Sequence, residues 1–401
     1  MLDTIALTLD QAEFIIREPK RFSPSAEGLI APPYYSLGSH GMFSCYLNPT
    51  KDDYKNGRYA PRLTLTKRKA RIAGFAMTLR IEFSAPKLIF GNNFDELRSQ
   101  DFERVLAAVL RCLTDAGISV TEDALRAAKV SAIHYSKNMA FTDYTNCSMV
   151  MSELDQIDLS QRLDLSHTDY RNEGHAIRYH ANSFEVTFYD KMKDLEKARF
   201  SEKRAIERDN ALQIDIFADR ARFPKALEVL RMEVRLGNRT KIKSVISQVH
   251  ADVEPTFAAL FDGSIAKAVL MHFWANVRKQ LPMINLAKNR RPEDVLGDLA
   301  VAANGSARPG KLLQELGAAV LVGSVGFRGA GAVMSRHCHP RSWQRYKKGL
   351  KRCWSDPTAK FSALGRVDEN LSAFKPLRLA DFQTQPTQGS IGAQSATERR
   401  T

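Results

Sequence analysis

Alternating apolar and polar residues predict β-strands through the first half of the chain. Apolar residues occupy every second position in Thr4–Leu9, Arg62–Arg68 and Val229–Leu236, which is the pattern of a strand with one buried face. Apolar and β-branched residues fill Phe75–Phe90, and Lys129–Lys137 is a further candidate strand. These runs predict a sheet assembled from segments that lie far apart in the chain.

Two further runs predict a β-hairpin. His175–His180 and Ser183–Asp190 both have a strand pattern, and Ala181 and Asn182 lie between them. We therefore expect these two segments to pair as antiparallel neighbours, with the turn at Ala181 and Asn182.

Other segments have the period of a helix. In Asp101–Ala116 the apolar residues fall on one stripe, as on an amphipathic helix. Lys191–Arg208 is charged and is also predicted to be helical. Helical signals dominate from Arg239 onward, and the helices predicted there are Ser264–Gln280, Pro292–Ala303 and Lys311–Val322.

The order of these segments predicts an α+β protein with a largely antiparallel sheet, followed by a helical, basic carboxy-terminal region. The chain has 401 residues, enough for two domains. We expect the sheet domain in residues 1–250 and the helical region in residues 251–380, with the boundary between residues 250 and 290. Residues 381–401 are rich in Gln, Thr, Ser and Gly and are expected to be disordered.

The charge of the chain points to an anionic partner. There are 59 Lys and Arg against 45 Asp and Glu, a formal net charge of +14. Nucleic acid is the commonest partner of so basic a protein. The alternative is that the charge only aids solubility.

The cysteines and the hydropathy of the chain indicate in which cellular compartment the protein is located. The five cysteines are widely spaced and include no Cys-x-x-Cys pair, which is typical of free thiols in a reducing cytoplasm. The amino-terminal residues carry acidic groups and do not resemble a signal peptide. The longest uncharged apolar stretch, Leu316–Phe327, is too short for a membrane span. We expect a cytoplasmic protein with no membrane partner.

Three of the predicted strands carry an unusual polar face. The period of two puts Val130 and Ala132 on one face with His134 and Ser136. The same period places the polar residues of each of the other two strands on one face. Lys191 lies on that face too if the strand that contains Tyr189 continues to it. These residues are Arg231, Glu233 and Arg235 on one strand and Glu185, Thr187, Tyr189 and Lys191 on the other.

If these strands are neighbours, the shared face suits phosphoryl transfer. A phenol can attack a phosphodiester and keep its energy in a phosphotyrosine. A carboxylate and an imidazole can hold a divalent ion against the phosphate, and Lys or Arg can neutralise the charge that develops on it. The alternative is a solvated sheet face on which Tyr189 and His134 are ordinary residues.

Several short blocks occur in a characteristic order over residues 1–245. They are Asp3–Leu7, Ile81–Lys87 followed by Phe90–Asn93, Val130–Asn138, Phe188–Lys191 and Leu230–Arg235. In these blocks the chain resembles the replication initiators of filamentous phages, of the gene II product type, and shares features with plasmid initiators of rolling-circle replication.

The resemblance implies roles for individual residues. Tyr189 corresponds to the nicking tyrosine, with Lys191 beside it, and Glu233 to a ligand of a divalent ion, expected to be Mg²⁺. His134 stands where related initiators often carry an aspartate. This substitution still allows metal binding but removes one carboxylate from the site.

The implied activity is nicking of double-stranded origin DNA through a covalent phosphotyrosine, which starts rolling-circle replication. The nick leaves a 3′-hydroxyl for a host polymerase, and rejoining of the displaced strand follows. The implied partners are origin DNA and the host helicase and polymerase. Two alternatives stay open, namely a mobilisation relaxase and a DNA-binding regulator that does not nick.

A basic segment near the carboxy terminus is a second candidate DNA contact. Its aromatic residues alternate with cations, and a helix that begins near Ser342 could dock in a major groove. The alternative is a solvated helix packed through Trp343 and Leu350. Including the sheet arginines, the residues expected to bind DNA are Arg231, Arg235, Arg341, Arg345, Lys347, Lys348 and Lys351.

Overall fold

The chain is α+β and is built around one large antiparallel sheet. The computed structural model describes residues 1–30, 42–50, 52–53, 59–69, 75–141, 145–155, 157, 167–171, 175–200, 228–251, 253–279, 291–303, 308–350 and 363–382. The strands are β1 (Leu2–Asp10), β2 (Phe14–Ile16), β3 (Met42–Leu47), β4 (Arg62–Lys69), β5 (Phe75–Ser84), β6 (Ile118–Val120), β7 (Lys129–Phe141), β8 (His167–Arg171), β9 (Ala176–His180), β10 (Phe184–Asp190) and β11 (Glu228–Leu236).

Nine of these strands pair in the order β3-β4-β5-β1-β7-β11-β10-β9-β8, and β2 pairs with β6 separately. Every pairing in the large sheet is antiparallel. The predicted hairpin is confirmed, because β9 pairs directly with β10. The three strands predicted from alternation lie within β1, β4 and β11, and the candidate strand Lys129–Lys137 lies within β7.

The helices lie between and after the strands. They are α1 (Glu27–Ile30), α2 (Ala85–Phe90), α3 (Phe102–Asp115), α4 (Glu122–Arg126), α5 (Cys147–Asp155), α6 (Lys191–Phe200), α7 (Arg239–Val249), α8 (Phe257–Leu260), α9 (Gly263–Arg278), α10 (Pro292–Ala302), α11 (Pro309–His337), α12 (Pro340–Leu350) and α13 (Ala363–Ala373). Short 3₁₀ turns occur at Gln11–Glu13, Pro19–Arg21, Ser99–Asp101 and Leu379–Phe382.

Two local predictions need correction. The strand predicted over Phe75–Phe90 ends at Ser84, because Pro86 fits the first turn of a helix, where no amide donor is needed. In β7, Val130 does not share a face with His134. A β-bulge at Ser131 makes Val130 pair with Leu7, so that Val130 turns to the buried face.

The apolar face of the sheet forms the main core. Side chains such as Ile5, Ile133 and Met232 pack there with helices α3, α5, α7, α9 and α13. The predicted helix in Ser264–Gln280 corresponds to α9, whose first turn is capped by the Asp262 carboxylate at 2.6 Å from the Ser264 amide. The opposite face of the sheet carries the polar residues.

The main core does not end at residue 250, the end of the predicted sheet domain. Helices α8, α9 and α13 belong to the same core as the sheet. A separate small core joins α10, α11 and α12 through residues such as Val322, Phe327 and Trp343. The carboxy-terminal region therefore includes one helical unit of its own and several helices that complete the sheet domain.

Helix α11 is longer than the predicted Lys311–Val322. It continues to His337 through a kink at Gly326, where the backbone has φ 72° and ψ 170°, a conformation that glycine adopts without a steric penalty. Its length and hydropathy suffice for a membrane span, and 33% of its most apolar window is buried. A single helix of this kind is weak evidence for a span, so the expected lack of a membrane partner stays a prediction.

We predict that the packing of α13 contributes to the free energy of unfolding of the sheet domain. Leu364 is fully buried in the main core, so Leu364→Ala should lower the free energy of unfolding of that domain by about 2–5 kcal/mol. Leu313→Ala is the matched control, since Leu313 is 60% exposed on α11, and should cost about 0.5 kcal/mol or less. Urea denaturation measures both, and equal effects of the two changes contradict the prediction.

Candidate active site on the polar face of the sheet

The three strands with unusual polar faces are neighbours in the order β7-β11-β10. In the register, Tyr189 lies opposite Arg231 and Thr187 opposite Glu233. On the other side of β11, Arg235 lies opposite His134. Directly paired residues project from the same face of a sheet, so the tyrosine, the histidine and the charged residues share one surface.

A group of potential metal ligands lies at the centre of this surface. It consists of Asp3, His134 and Glu233, whose ligand atoms all lie within 4.8 Å of one another. Nδ1 of His134 is 3.5 Å from Oε1 of Glu233. His134 and Glu233 were the predicted metal ligands, and the fold brings them together.

Asp3 was not among the predicted ligands. It lies next to Thr4 on β1, and strict alternation would put the two side chains on opposite faces. However, the register shifts between Leu2 and Thr4, which pair with Tyr135 and His134. Asp3 is the extra residue of this bulge, and its side chain joins the polar face. A bulge of this kind has no signal in the alternation of the sequence.

Two arginines flank the ligand group. Nη2 of Arg231 is 2.9 Å from Oδ1 of Asp3, and Nε of Arg235 donates to Oε1 of Glu233 at 2.8 Å. Burial acts to raise the pKa of Asp3, but the charge of Arg231 holds that pKa below its ordinary value. Asp3 is therefore a carboxylate at neutral pH.

Burial lowers the pKa of His134, although the charge of Glu233 partly opposes the shift. The imidazole is therefore neutral at pH 7, which is the form that binds a metal ion. Oδ1 of Asp3 is buried and, although Arg231 is close, accepts no hydrogen bond of good geometry from the residues described. The carboxylates of Asp3 and Glu233 and the neutral imidazole of His134 form a donor set that fits a hard divalent ion such as Mg²⁺ or Mn²⁺.

Tyr189 is half-buried and is the next-to-last residue of β10. Burial raises the pKa of Tyr189 well above its usual value, whereas the charge of Arg231 lowers it. The phenol is therefore protonated at neutral pH, and Arg231 on the adjacent strand is the group that favours its ionised form.

Lys191 does not continue the strand. The carboxylate of Asp190 accepts hydrogen bonds from the amides of Met192 and Lys193 at 2.9 and 3.0 Å, which ends β10 and starts α6 with Lys191 as its first residue. Nζ of Lys191 nevertheless lies 5.8 Å from the centre of the Tyr189 ring. The predicted proximity of the two residues is thus produced by a helix start and not by strand alternation.

The predicted DNA-binding residues differ widely in exposure. Arg231 is 1% exposed, which leaves it almost no surface for a nucleic acid. The side chain of Arg235 is 39% exposed. In α12, Arg341 and Arg345 are exposed but Lys347 is buried. The side chain of Lys348 and the whole of Lys351 lie outside the described residues.

Helix α12 begins at Pro340, close to the predicted start at Ser342. Trp343 packs against Phe327 of α11 with ring centroids 6.3 Å apart, and Leu350 is fully buried in the same small core. The apolar side of α12 is therefore used for packing, and its exposed cations lie on the remaining surface.

A second group of potential ligands was missed. It consists of Cys147, Asp190 and Glu228, whose ligand atoms lie within 4.8 Å of one another. Its members already have structural tasks, because Asp190 caps α6 and Glu228 accepts a hydrogen bond from the Cys147 amide at 2.7 Å. Burial raises the pKa of the Cys147 thiol, which disfavours the thiolate that metals bind.

Comparison with protein-family models, with curated proteins and with solved structures finds no match for this chain.

We predict that the Asp3, His134 and Glu233 group binds Mn²⁺. Asp3→Asn and Glu233→Gln should each weaken binding by about tenfold or more, because each amide keeps the shape of the side chain and loses the charge that attracts the ion. The exposed Glu27 provides the control, and Glu27→Gln should bind as the unmodified chain does. Calorimetric titration with Mn²⁺ measures the affinities. Unchanged binding by both site variants would show that these carboxylates only pair with arginines.

Proposed function

We propose that the protein is a DNA-nicking transesterase that initiates rolling-circle replication, with Tyr189 as its nucleophile. The observation that carries this proposal is that Tyr189 and the ligand group Asp3, His134 and Glu233 lie on neighbouring strands of one sheet face, with Lys191 beside the Tyr189 ring at the start of α6. A nucleophile, a cation and a metal-ligand set are the parts that cleavage of a phosphodiester needs.

In the proposed step, the phenolic oxygen of Tyr189 forms a bond to the scissile phosphorus and the bond from phosphorus to the 3′-oxygen breaks. The phenolic proton leaves to a base, and the 3′-oxygen takes up a proton to become a free hydroxyl. The products are a 5′-phosphotyrosine and a primer end. Because the phosphotyrosine keeps the energy of the broken bond, the reverse reaction can rejoin a strand without another energy source.

Each neighbouring residue has a definite task in this proposal. Arg231 lies opposite Tyr189 and favours the phenolate. Lys191 supplies an ammonium beside the ring, where it can neutralise charge on the phosphoryl oxygens. A divalent ion held by Asp3, His134 and Glu233 would supply further electrostatic stabilisation to the phosphate.

The substrate is proposed to be double-stranded origin DNA. The net charge of +14 supports an electrostatic attraction to nucleic acid. The exposed cations Arg341 and Arg345 on α12 extend the basic surface beyond the sheet. Rolling-circle replication also requires a host helicase and polymerase, which are the protein partners proposed.

We predict that Tyr189→Phe abolishes nicking of supercoiled DNA and leaves the affinity for DNA nearly unchanged. The ring is retained and only the nucleophilic oxygen is removed. Tyr46→Phe is the matched control, since Tyr46 is 47% exposed on β3 at the far edge of the sheet, and should nick normally. Conversion of supercoiled circles to open circles on a gel measures the activity.

Two results of this assay and of a DNA-binding measurement contradict the proposal. Normal nicking by Tyr189→Phe means that another group is the nucleophile. Origin-specific binding by the unmodified chain without nicking, in the presence of Mg²⁺ or Mn²⁺, indicates a regulator. A mobilisation relaxase shares the chemistry and is distinguished by cleavage at a transfer origin.

We also predict that α12 contributes affinity and not chemistry. Each cation that meets a phosphate of duplex DNA releases condensed counterions, and it thereby steepens the slope of log affinity against log salt by about 0.9. The double variant Arg341→Ala and Arg345→Ala should therefore flatten the slope by about 1.8 and leave the cleaved bond unchanged.

The matched control for this measurement replaces two exposed cations away from α12, Lys20 and Lys243, with side-chain exposures of 81% and 61%. Lys20→Ala and Lys243→Ala together should leave the slope as it is. Affinities for origin and random DNA at several salt concentrations decide the matter. Equal slopes for the α12 variant and the unmodified chain show that α12 does not contact DNA.

A further inference from the structure

The loop of residues 91–97 contacts both buried cations of the candidate site. Oδ1 of Asn93 accepts a hydrogen bond from Nζ of Lys191 at 3.0 Å. The backbone carbonyl of the same residue accepts one from Nη1 of Arg231 at 2.6 Å. Lys191 and Arg231 are each 1% exposed, so a single loop residue contacts two cations that solvent hardly reaches.

The conformation of this loop is determined by its own side chains. The carboxamide oxygen of Asn92 accepts hydrogen bonds from the amides of Phe94 and Asp95, both at 2.9 Å, and Asn92 is 1% exposed. Gly91 ends helix α2 with a φ of 71°, a left-handed conformation that favours glycine. Asn93 is therefore presented on a turn whose geometry is well specified.

The loop is also attached to the central strand β7. The buried carboxylate of Glu96 accepts hydrogen bonds from Nζ of Lys137 and from the amide of Asn138, both at 2.6 Å. In return, the carboxamide of Asn138 donates to the carbonyl of Phe94 at 2.7 Å. Removing either partner of a buried pair such as Glu96 and Lys137 leaves an uncompensated charge, which is costly.

Residues 375–382, which we call the carboxy-terminal strap, contact the outer side of the same loop. Leu377 exchanges two hydrogen bonds with Glu96, one donated to Oε2 at 2.8 Å and one accepted from the Glu96 amide at 3.0 Å. The amide of Leu379 donates to Oδ1 of Asp95 at 2.7 Å. Arg378 forms an ion pair with Asp101 at 3.1 Å.

The strap also packs on the helix that begins at Lys191. Leu377 and Leu379 contact a small core formed by Phe94, Met192, Leu195 and Val229. The loop, the strap and the start of α6 therefore form one packed assembly. The position of Asn93 relative to Lys191 depends on all three.

We propose that Asn93 is a positioning residue that holds the ammonium of Lys191 and the guanidinium of Arg231 beside Tyr189, and that the strap holds Asn93 in place. The inference rests on the proposed nicking function. An amide oxygen is suited to this task because it accepts a hydrogen bond without a negative charge. It thus fixes the ammonium of Lys191 and adds no negative charge to that of Asp194, whose carboxylate lies 3.6 Å from the same ammonium.

The first test replaces the side-chain acceptor. Asn93→Ala removes the contact to Lys191 and keeps the backbone carbonyl that faces Arg231. We expect the single-turnover nicking rate to fall by about ten- to a hundredfold, since misplacement of a charge-stabilising group by an ångström has effects of this size. The dissociation constant for DNA should not change. Asn93→Asp keeps the oxygen but adds a charge, and should recover part of the rate.

The second test does not depend on activity. The full-length protein is treated with an acetylating N-hydroxysuccinimide ester, and labelling of Lys191 is compared by mass spectrometry with that of Lys129, whose side chain is 56% exposed. Asn93→Ala should raise the labelling ratio several-fold because Lys191 loses an acceptor. Asn93→Asp should restore protection. Thermal melting of each variant verifies that it is folded.

The strap is tested by Arg378→Ala, which removes the ion pair with Asp101. It should raise Lys191 labelling and slow nicking in the same direction as Asn93→Ala. Arg291→Ala is the matched control, since Arg291 has a side-chain exposure of 77% and lies at the start of α10, and should change neither readout.

The outcomes separate the two proposals. If the unmodified chain nicks DNA and Asn93→Ala changes neither the rate nor the labelling, the positioning role is refuted and the nicking function stands. A faster labelling of Lys191 with an unchanged rate also refutes the role in catalysis. If no nicking occurs in any variant, the nicking function fails, and unchanged labelling of Lys191 then refutes the contact to Asn93 as well.

Discussion

The guanidinium of Arg231 is the interaction on which the polar face depends. It is 1% exposed, it lies 2.9 Å from the Asp3 carboxylate of β1, and it donates to the Asn93 carbonyl of the loop 91–97. Burial opposes its charge, but Tyr189, Asp3 and Glu233 together hold its pKa above the ordinary value. A buried cation needs such partners, because leaving it unpaired costs about 3–5 kcal/mol. The requirement fixes the positions of β1, the loop and β10 around β11.

Burial and the charge of Arg231 together determine the protonation states at the candidate site. Asp3 stays ionised because Arg231 is adjacent, and His134 is neutral because it is largely enclosed. Burial also keeps the proton on the phenol of Tyr189, and the charge of Arg231 opposes this effect. An ionised carboxylate, a neutral imidazole and a protonated phenol near a guanidinium form a consistent set for metal binding and for a nucleophile that ionises only during reaction.

Some segments of the carboxy-terminal third of the chain complete the sheet domain, and others form a separate helical unit. Helices α9 and α13 complete the core of the sheet, and Nε1 of Trp274 donates to Asp368 at 2.7 Å between them. The strap then reaches the loop beside the candidate site. The unit α10 to α12, by contrast, has its own small core, and its contact with the sheet domain includes a hydrogen bond from Arg328 to Asp155. The proposed DNA-binding role thus belongs to α12, and a supporting role to the segments on either side.

The sequence by itself determined the class of the fold, the strands with a regular alternation and the face that carries Tyr189, Glu233 and Arg235. These follow from periods of two and 3.6 residues, which are local properties of the backbone. Asp3, Val130, Asn93 and the strap were decided only by the tertiary structure. Two β-bulges put Asp3 and Val130 on faces that alternation does not predict. One extra residue in a strand moves the side chains beyond it to the opposite face of the sheet. Asn93 and Leu377 meet their partners across 98 and 281 positions of the chain, a distance over which no local pattern carries information.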